Sequence, residues 1–169
     1  LDTQLFSAFN DNGNVKHGLP SAAYTEDEFY ELEAGHLFAK NWTFVGFAHD
    51  LSDVGDVMPV RVAEQPLFLV RSGKDKIRAF HNVCRHRNLK LVDEAHNCKK
   101  LITCPYHNWS YNLDGQLRAA PYFGGGKTEL PEKFYLEDYG LHEVECCLWG
   151  GVLLWAREGR EYVRREDEK

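Results

Sequence analysis

The stretch CRHRNLKLVDEAHNCKKLITCPYHNW, residues 84–109, decides how this chain is read. It holds two Cys/His pairs, Cys84-x-His86 and Cys104-x-x-His107, with a further cysteine, Cys98, between them. Imidazole nitrogen and thiolate sulfur are the side-chain ligands of borderline and soft metals, and each is present twice in two tight pairs. The span from His86 to Cys104 is long enough for each pair to occupy its own loop. A strand over 101–104 would then return the second loop beside the first, closing both over one metal centre.

Two metals suit these donors. A structural zinc site usually takes a Cys-x(2-4)-Cys pair and a His-x(3-5)-His pair, whereas the pairs here are mixed; a zinc-binding module stays open as the non-redox alternative. A Rieske [2Fe-2S] centre needs two cysteines on one iron and two histidines on the other, which this set supplies. Neutral imidazoles in place of thiolates make such clusters less negative and raise their potentials, in general from about -400 mV to between roughly -150 and +300 mV.

The segments NVCRHR and CPYHNWSYNLDGQL, with FAKNWTFVGFAHDLSDVGDVMPVRVAEQPLFLVR before them, resemble the Rieske domain in the large (alpha) subunit of ring-hydroxylating and related Rieske non-haem iron oxygenases. The resemblance spans about residues 20 to 155. It implies that Cys84 and Cys104 bind one iron and His86 and His107 the other. Tyr106 and Trp109 would shield the cluster, and Arg85 and Arg87 lie on the first cluster loop. It also implies a ferredoxin or flavin reductase as electron donor. The acceptor would be a mononuclear Fe(II) in an oxygenase catalytic domain outside this chain, and the full-length protein would form a homotrimer. The expected function is one-electron transfer, with a stand-alone Rieske-type ferredoxin as the alternative. High-potential Rieske proteins carry an extra cysteine in each loop; Leu89 and Tyr106 stand at those places, which implies the oxygenase-type subclass. Asn88 and Asn108 stand where the family commonly has glycine, and Asn is the non-glycine residue best able to take a positive φ.

Composition sets the frame. With 169 residues, 43% apolar and including 4 Trp, 8 Tyr and 10 Phe, the chain can bury a core of one ordinary domain. A formal net charge of -6 argues against general nucleic-acid or anionic-membrane binding. No apolar run reaches membrane-span length and the first residues lack signal-peptide features, so a cytoplasmic location is expected. Five cysteines form no even disulfide framework, in keeping with a reducing compartment.

Along the chain, residues 1–20 read as a polar arm and 156–169 as a charged tail or linker, leaving 21–155 as the domain. Thr25-Glu-Asp-Glu28 has the form of a capping box, followed by Phe29, Leu32, His36, Leu37 and Phe38 at near-helical spacing; this predicts one amphipathic helix over about 25–41. Short β-type runs follow at 43–47, 57–62, 67–71, 77–82, 101–104, 109–112, 116–118, 140–145 and 148–155, with Asp114-Gly115 a strong hairpin signal. The fold class is mainly β: a Rieske-type fold of small antiparallel sheets with two cluster-binding loops, preceded by one N-terminal helix.

Other candidates read more simply. Cys98 is a plain thiol in the connecting loop, and Cys146-Cys147 are core candidates whose adjacent side chains point to opposite faces of a strand. Gly124–Gly126 does not link a strand to a helix, so it is a loop and not a phosphate cradle. Arg85, Arg87, Lys90, Lys99 and Lys100 flank the Cys/His loops and would steer an acidic electron donor, where they are not neutralised by Asp93 or Glu94.

Overall fold

The computed structural model describes residues 7–10, 13 and 18–156; most of the arm at 1–20, and the tail beyond 156, lie outside the described residues. The helical lead-in contains the single helix expected, helical without a break over residues 27–38, and differs from the predicted 25–41 in where it starts and in a short turn before it. After a turn α1 (Ser7–Asn10) come α2 (Ala22–Thr25), α3 (Asp27–Glu33) and a π-helical turn, Ala34–Phe38. Glu26 breaks the run with extended backbone at φ -104, ψ 131. Thr25 does not cap α3, because its hydroxyl donates to the carbonyl of Ser21 at 3.2 Å. Short helices draw their stability from packing. Neither α2 nor α3 buries a residue, and Phe38 alone of the apolar residues named for this segment packs against a core.

Among the described residues ten strands follow: β1 (Thr43–Phe47), β2 (Asp56–Val62), β3 (Gln65–Gly73), β4 (Lys76–His81), β5 (His96–Asn97), β6 (Leu101–Thr103), β7 (Ser110–Asn112), β8 (Leu117–Ala119), β9 (Glu143–Trp149) and β10 (Val152–Ala156). They form a seven-stranded sheet in the order β1-β10-β9-β4-β3-β2-β5 and a three-stranded sheet β6-β7-β8. All pairings are antiparallel. The run expected at 148–155 is interrupted by a hairpin turn: Gly150 and Gly151 have φ of +56 and +86, the paired positive values that match a two-residue connection to the twist of its strands. The two-residue strand β5 is too short to show as a pattern. It is held by pairing with β2, and the Asn97 side-chain amide donates to Asp56 Oδ1 at 2.8 Å.

Two cores lie on opposite faces of the large sheet, and β3 is the wall between them. Side chains on a strand alternate faces, so Phe68 and Val70 enter the first core with Val57, Phe80, Trp109 and Tyr111, while Leu67 and Leu69 enter the second with Val45, Leu153 and Trp155. This is why four consecutive β3 residues, Leu67 to Val70, are all fully buried. The first core joins the two sheets. The predicted hairpin at Asp114-Gly115 seals it: Gly115 has φ +81, and a Cβ there would lie 2.5 Å from the Phe80 ring. Cys146 packs against the second core, but Cys147 faces away from it, which corrects the expectation that both are core residues.

Candidate metal centre

The two Cys/His loops share one backbone frame. In the first, the Asn88 amide donates to the Cys84 carbonyl at 2.9 Å and the Cys84 amide to the Leu89 carbonyl at 2.7 Å. In the second, Asn108 donates to Cys104 at 3.0 Å and Cys104 to Trp109 at 2.9 Å. Each turn needs one left-handed residue at the same place, and Asn88 and Asn108 fill it with φ of +55 and +56. The glycine-like role expected of both is thus met by Asn, whose short polar side chain tolerates that region.

The loops bring the four candidate ligands together two by two. Cys84 and Cys104, 1% and 2% exposed, are neighbours in the first core beneath the loops. His86 and His107 meet further out with ring centroids 4.7 Å apart, both partly exposed. Among the described residues, no three or more His, Cys, Asp or Glu side chains are arranged to hold a single ion. The two sulfurs thus lie together at the base and the two imidazoles together further out, the grouping that a two-iron centre with two cysteines and two histidines uses.

Burial acts on the donors in two senses, against the thiolate that a metal-bound Cys84 must be and for the neutral ring of His86. Burial pushes the Cys84 thiol above its ordinary range, a tendency countered by the Tyr111 hydroxyl, which lies 3.3 Å from its sulfur. Burial, with His107 and Arg87 nearby, pulls His86 below the usual histidine value and favours the neutral ring that a ligand must be. His107 Nδ1 is buried with no hydrogen-bond partner, an orphan that a metal would satisfy. The residues present therefore fit a [2Fe-2S] cluster.

Aromatic side chains enclose the histidine end. Trp109, 1% exposed, stacks on His86 at 4.7 Å with planes 6° apart. Phe123 meets both rings edge-on, and Phe134 and Tyr139 back Trp109 from behind. Tyr106 leans on His107 at 3.7 Å but is 57% exposed, so it forms the rim while Trp109 forms the wall. A cleft of about 470 Å³ opens over the imidazoles, lined also by Arg87 and Tyr122. Of the other cations expected to flank the site, Arg85 lies 3.3 Å from His142 and Lys90 pairs with Asp93 at 3.2 Å. Cys98 stands apart, half-buried against the first core, with its thiol raised by burial.

Two supporting residues escape sequence reasoning. Tyr111 on β7 is fully buried, and its hydroxyl accepts the Arg85 amide at 3.1 Å while it contacts the Cys84 sulfur. The signal was the alternation Trp109-x-Tyr111, which points both rings toward the loops. Asn82 is 1% exposed; it accepts the Leu91 and Val92 amides and donates to the Val92 carbonyl at 2.7 Å, clamping the base of the first loop. A lone Asn ending a strand pattern gives no such signal.

Comparisons agree with this geometry. The profile described as the Rieske [2Fe-2S] domain matches residues 41–134. The chain is 36% identical over 137 residues to the glycine betaine monooxygenase oxygenase subunit of Chromohalobacter salexigens, covering 81% of this chain and 29% of that protein. It is 32% identical over 148 residues to the large oxygenase component of salicylate 5-hydroxylase from a Ralstonia species, covering 83% and 35%. Among solved structures it matches a quaternary ammonium Rieske monooxygenase bound to L-carnitine with TM-score 0.75 and 30% identity, covering 88% of this chain and 41% of the other. The chain thus spans about a third of the length of these curated relatives. Among the described residues no helix is long and apolar enough to cross a membrane.

Proposed function

Because this chain belongs to the Rieske [2Fe-2S] domain family, we propose that it carries single electrons for a large oxygenase subunit, with Cys84 and Cys104 holding one iron of a [2Fe-2S] cluster and His86 and His107 the other. The observation that carries this reading is the grouping of the candidate ligands: buried sulfurs on two matched turns, and partly exposed imidazoles beyond them. When bound, the cluster supplies a one-electron couple.

The chain's own residues set the conditions for that couple. The Tyr111 hydroxyl steadies the Cys84 sulfur, Trp109 fixes the plane of His86 and keeps water from behind it, and the backbone frames hold both turns rigid. The imidazole edges face the cleft, so electrons enter and leave on that side. In this proposal the donor is a ferredoxin or flavin reductase. The acceptor is a mononuclear iron, held by two histidines and a carboxylate in a catalytic domain outside these residues, and the complete oxygenase is a homotrimer. An independent ferredoxin is the competing arrangement; the similar oxygenase subunits favour the large-subunit reading.

Electron paramagnetic resonance of the dithionite-reduced protein tests the assignment. The expected spectrum has the low average g value of a histidine-ligated [2Fe-2S] cluster. A colourless, zinc-containing preparation would overturn it.

A further inference from the structure

The run Gly124–Gly126 belongs to the segment that follows β8 and borders the cleft over the imidazoles, and two of its glycines are tied to one residue, Glu129. The Gly124 amide donates to the Glu129 carbonyl at 3.0 Å, the Glu129 amide to the Gly126 carbonyl at 3.3 Å, and the Gly126 amide to Glu129 Oε2 at 3.1 Å. A Cβ at Gly124 would lie 2.7 Å from the Glu129 backbone, and one at Gly126 would lie 2.6 Å from its carboxyl carbon, so glycine is what lets Glu129 come this close. The same loop carries Phe123, whose ring meets His86 edge-on at 5.5 Å and Trp109 at 5.2 Å and packs on Phe134 at 4.8 Å. That placement is opposed. Tyr122, immediately before it, has φ +62, a value bulky residues rarely take, and glycine loses more backbone freedom on ordering than any other residue. Aromatic contact draws Phe123 in, while strain and glycine entropy push the loop out.

We propose that Glu129 is a positioning residue for electron transfer: by clasping the glycine loop it holds Phe123 against the edge of His86 and limits the water that reaches that imidazole. The proposal rests on the assignment of His86 as an iron ligand. The bond from the Gly126 amide is charge-assisted, and such bonds are roughly twice as strong as neutral ones. The apolar shell of a metal centre sets its potential through solvent access and local dielectric. Reduction adds one negative charge to the site, and water at the imidazole stabilises that charge, so an open loop favours the reduced form. Glu129 therefore acts, through Phe123, to keep the potential down.

Redox titration of the cluster-loaded protein, with amide hydrogen exchange over residues 120–130 read by mass spectrometry, tests it. Glu129→Ala is expected to speed exchange of the loop several-fold and to shift the reduction equilibrium several-fold toward the reduced form, with the melting temperature nearly unchanged. Glu129→Gln keeps an acceptor for the Gly126 amide without the charge, and is expected to stay close to wild type in both measurements. In a Phe123→Ala background, adding Glu129→Ala should leave the potential where Phe123→Ala alone puts it. Equal shifts in the Ala and Gln variants would mean that the carboxylate acts by its charge alone, and an additive double variant would mean that it acts by a route other than Phe123. Either result overturns the proposal, as does an unchanged potential in a Glu129→Ala protein that keeps the wild-type paramagnetic resonance spectrum. A wild-type protein without the histidine-ligated spectrum would instead overturn the cluster assignment, and this proposal with it.

Discussion

Replacing Tyr111 by Phe removes one oxygen from the interior and tests how the second loop governs the first. That oxygen sits 3.3 Å from Cys84 Sγ and 3.1 Å from the Arg85 amide, in a residue with no exposed surface. Since the Arg85 amide donates to it, its own hydrogen is available to the sulfur. A hydrogen bond strengthens with the charge on its acceptor, and charged pairs exceed neutral ones by on the order of 1 kcal/mol. With Cys84 as an iron ligand, the sulfur is more negative in the reduced state, so the hydroxyl favours reduction. For a one-electron couple a tenfold change in equilibrium, about 1.4 kcal/mol, is 59 mV, so Tyr111→Phe should lower the midpoint potential by about 40 mV. It should also cost about 1–2 kcal/mol of stability, because the Arg85 amide is left without its partner. Redox titration followed by visible absorption, with a urea melt alongside, measures both. An unchanged or raised potential in a variant that keeps its cluster spectrum would refute the reasoning.

Other substitutions probe the frame. Asn82→Ala breaks three buried hydrogen bonds at the base of the first loop and should cost about 3 kcal/mol in a urea titration. Asn88→Ala should destabilise by about 1 kcal/mol, because alanine tolerates the left-handed turn less well, while Asn88→Gly should be close to neutral; equal losses would mean that the side chain and not the φ of +55 matters. Asp56 receives the Asp53 amide and the Asn97 side chain, which hold its carboxyl below the usual range. A depressed carboxyl stabilises the fold above the ordinary carboxylate pKa and loses that contribution as pH falls toward the folded value, so Asp56→Asn should flatten the acid limb of the stability profile. Arg87→Glu, in the cleft, should slow reduction by an acidic donor at low salt and converge with wild type at high salt.

Much of the fold was legible because strands announce themselves by alternation and turns by residues with special φ. The strand at Thr43–Phe47 coincides with its expected span, and Gly115 turns where Asp114-Gly115 predicted. Asn88 and Asn108 took positive φ as their chemistry suggested. The failures have physical causes. The helical period over 25–41 yields an unbroken helix at 27–38, but its start was misplaced because the Thr25 hydroxyl donates back to Ser21 and Glu26, extended, stands at the N-cap. The apolar run at 148–155 hid a turn because both strands flanking Gly150-Gly151 are themselves apolar. For the candidate site, the four candidate donors came from spacing and resemblance, whereas the residues packed around them could not be read that way. Tyr111 reaches Cys84 across 27 residues, and only the folded sheet brings it to the first loop, while Asn82 acts within 10 residues by closing a loop whose path no local pattern announces.

The two loops repeat one hydrogen-bond frame with cysteine at the same position, yet the histidine stands two residues after Cys84 and three after Cys104. Equivalent scaffolds therefore present inequivalent imidazoles: His86 lies flat against a buried indole, and His107 tilts toward an exposed phenol. A pseudo-twofold pair of turns has become a polar device with a sheltered side and an accessible side. A partner meeting this end of the molecule would therefore meet two unlike imidazole surroundings.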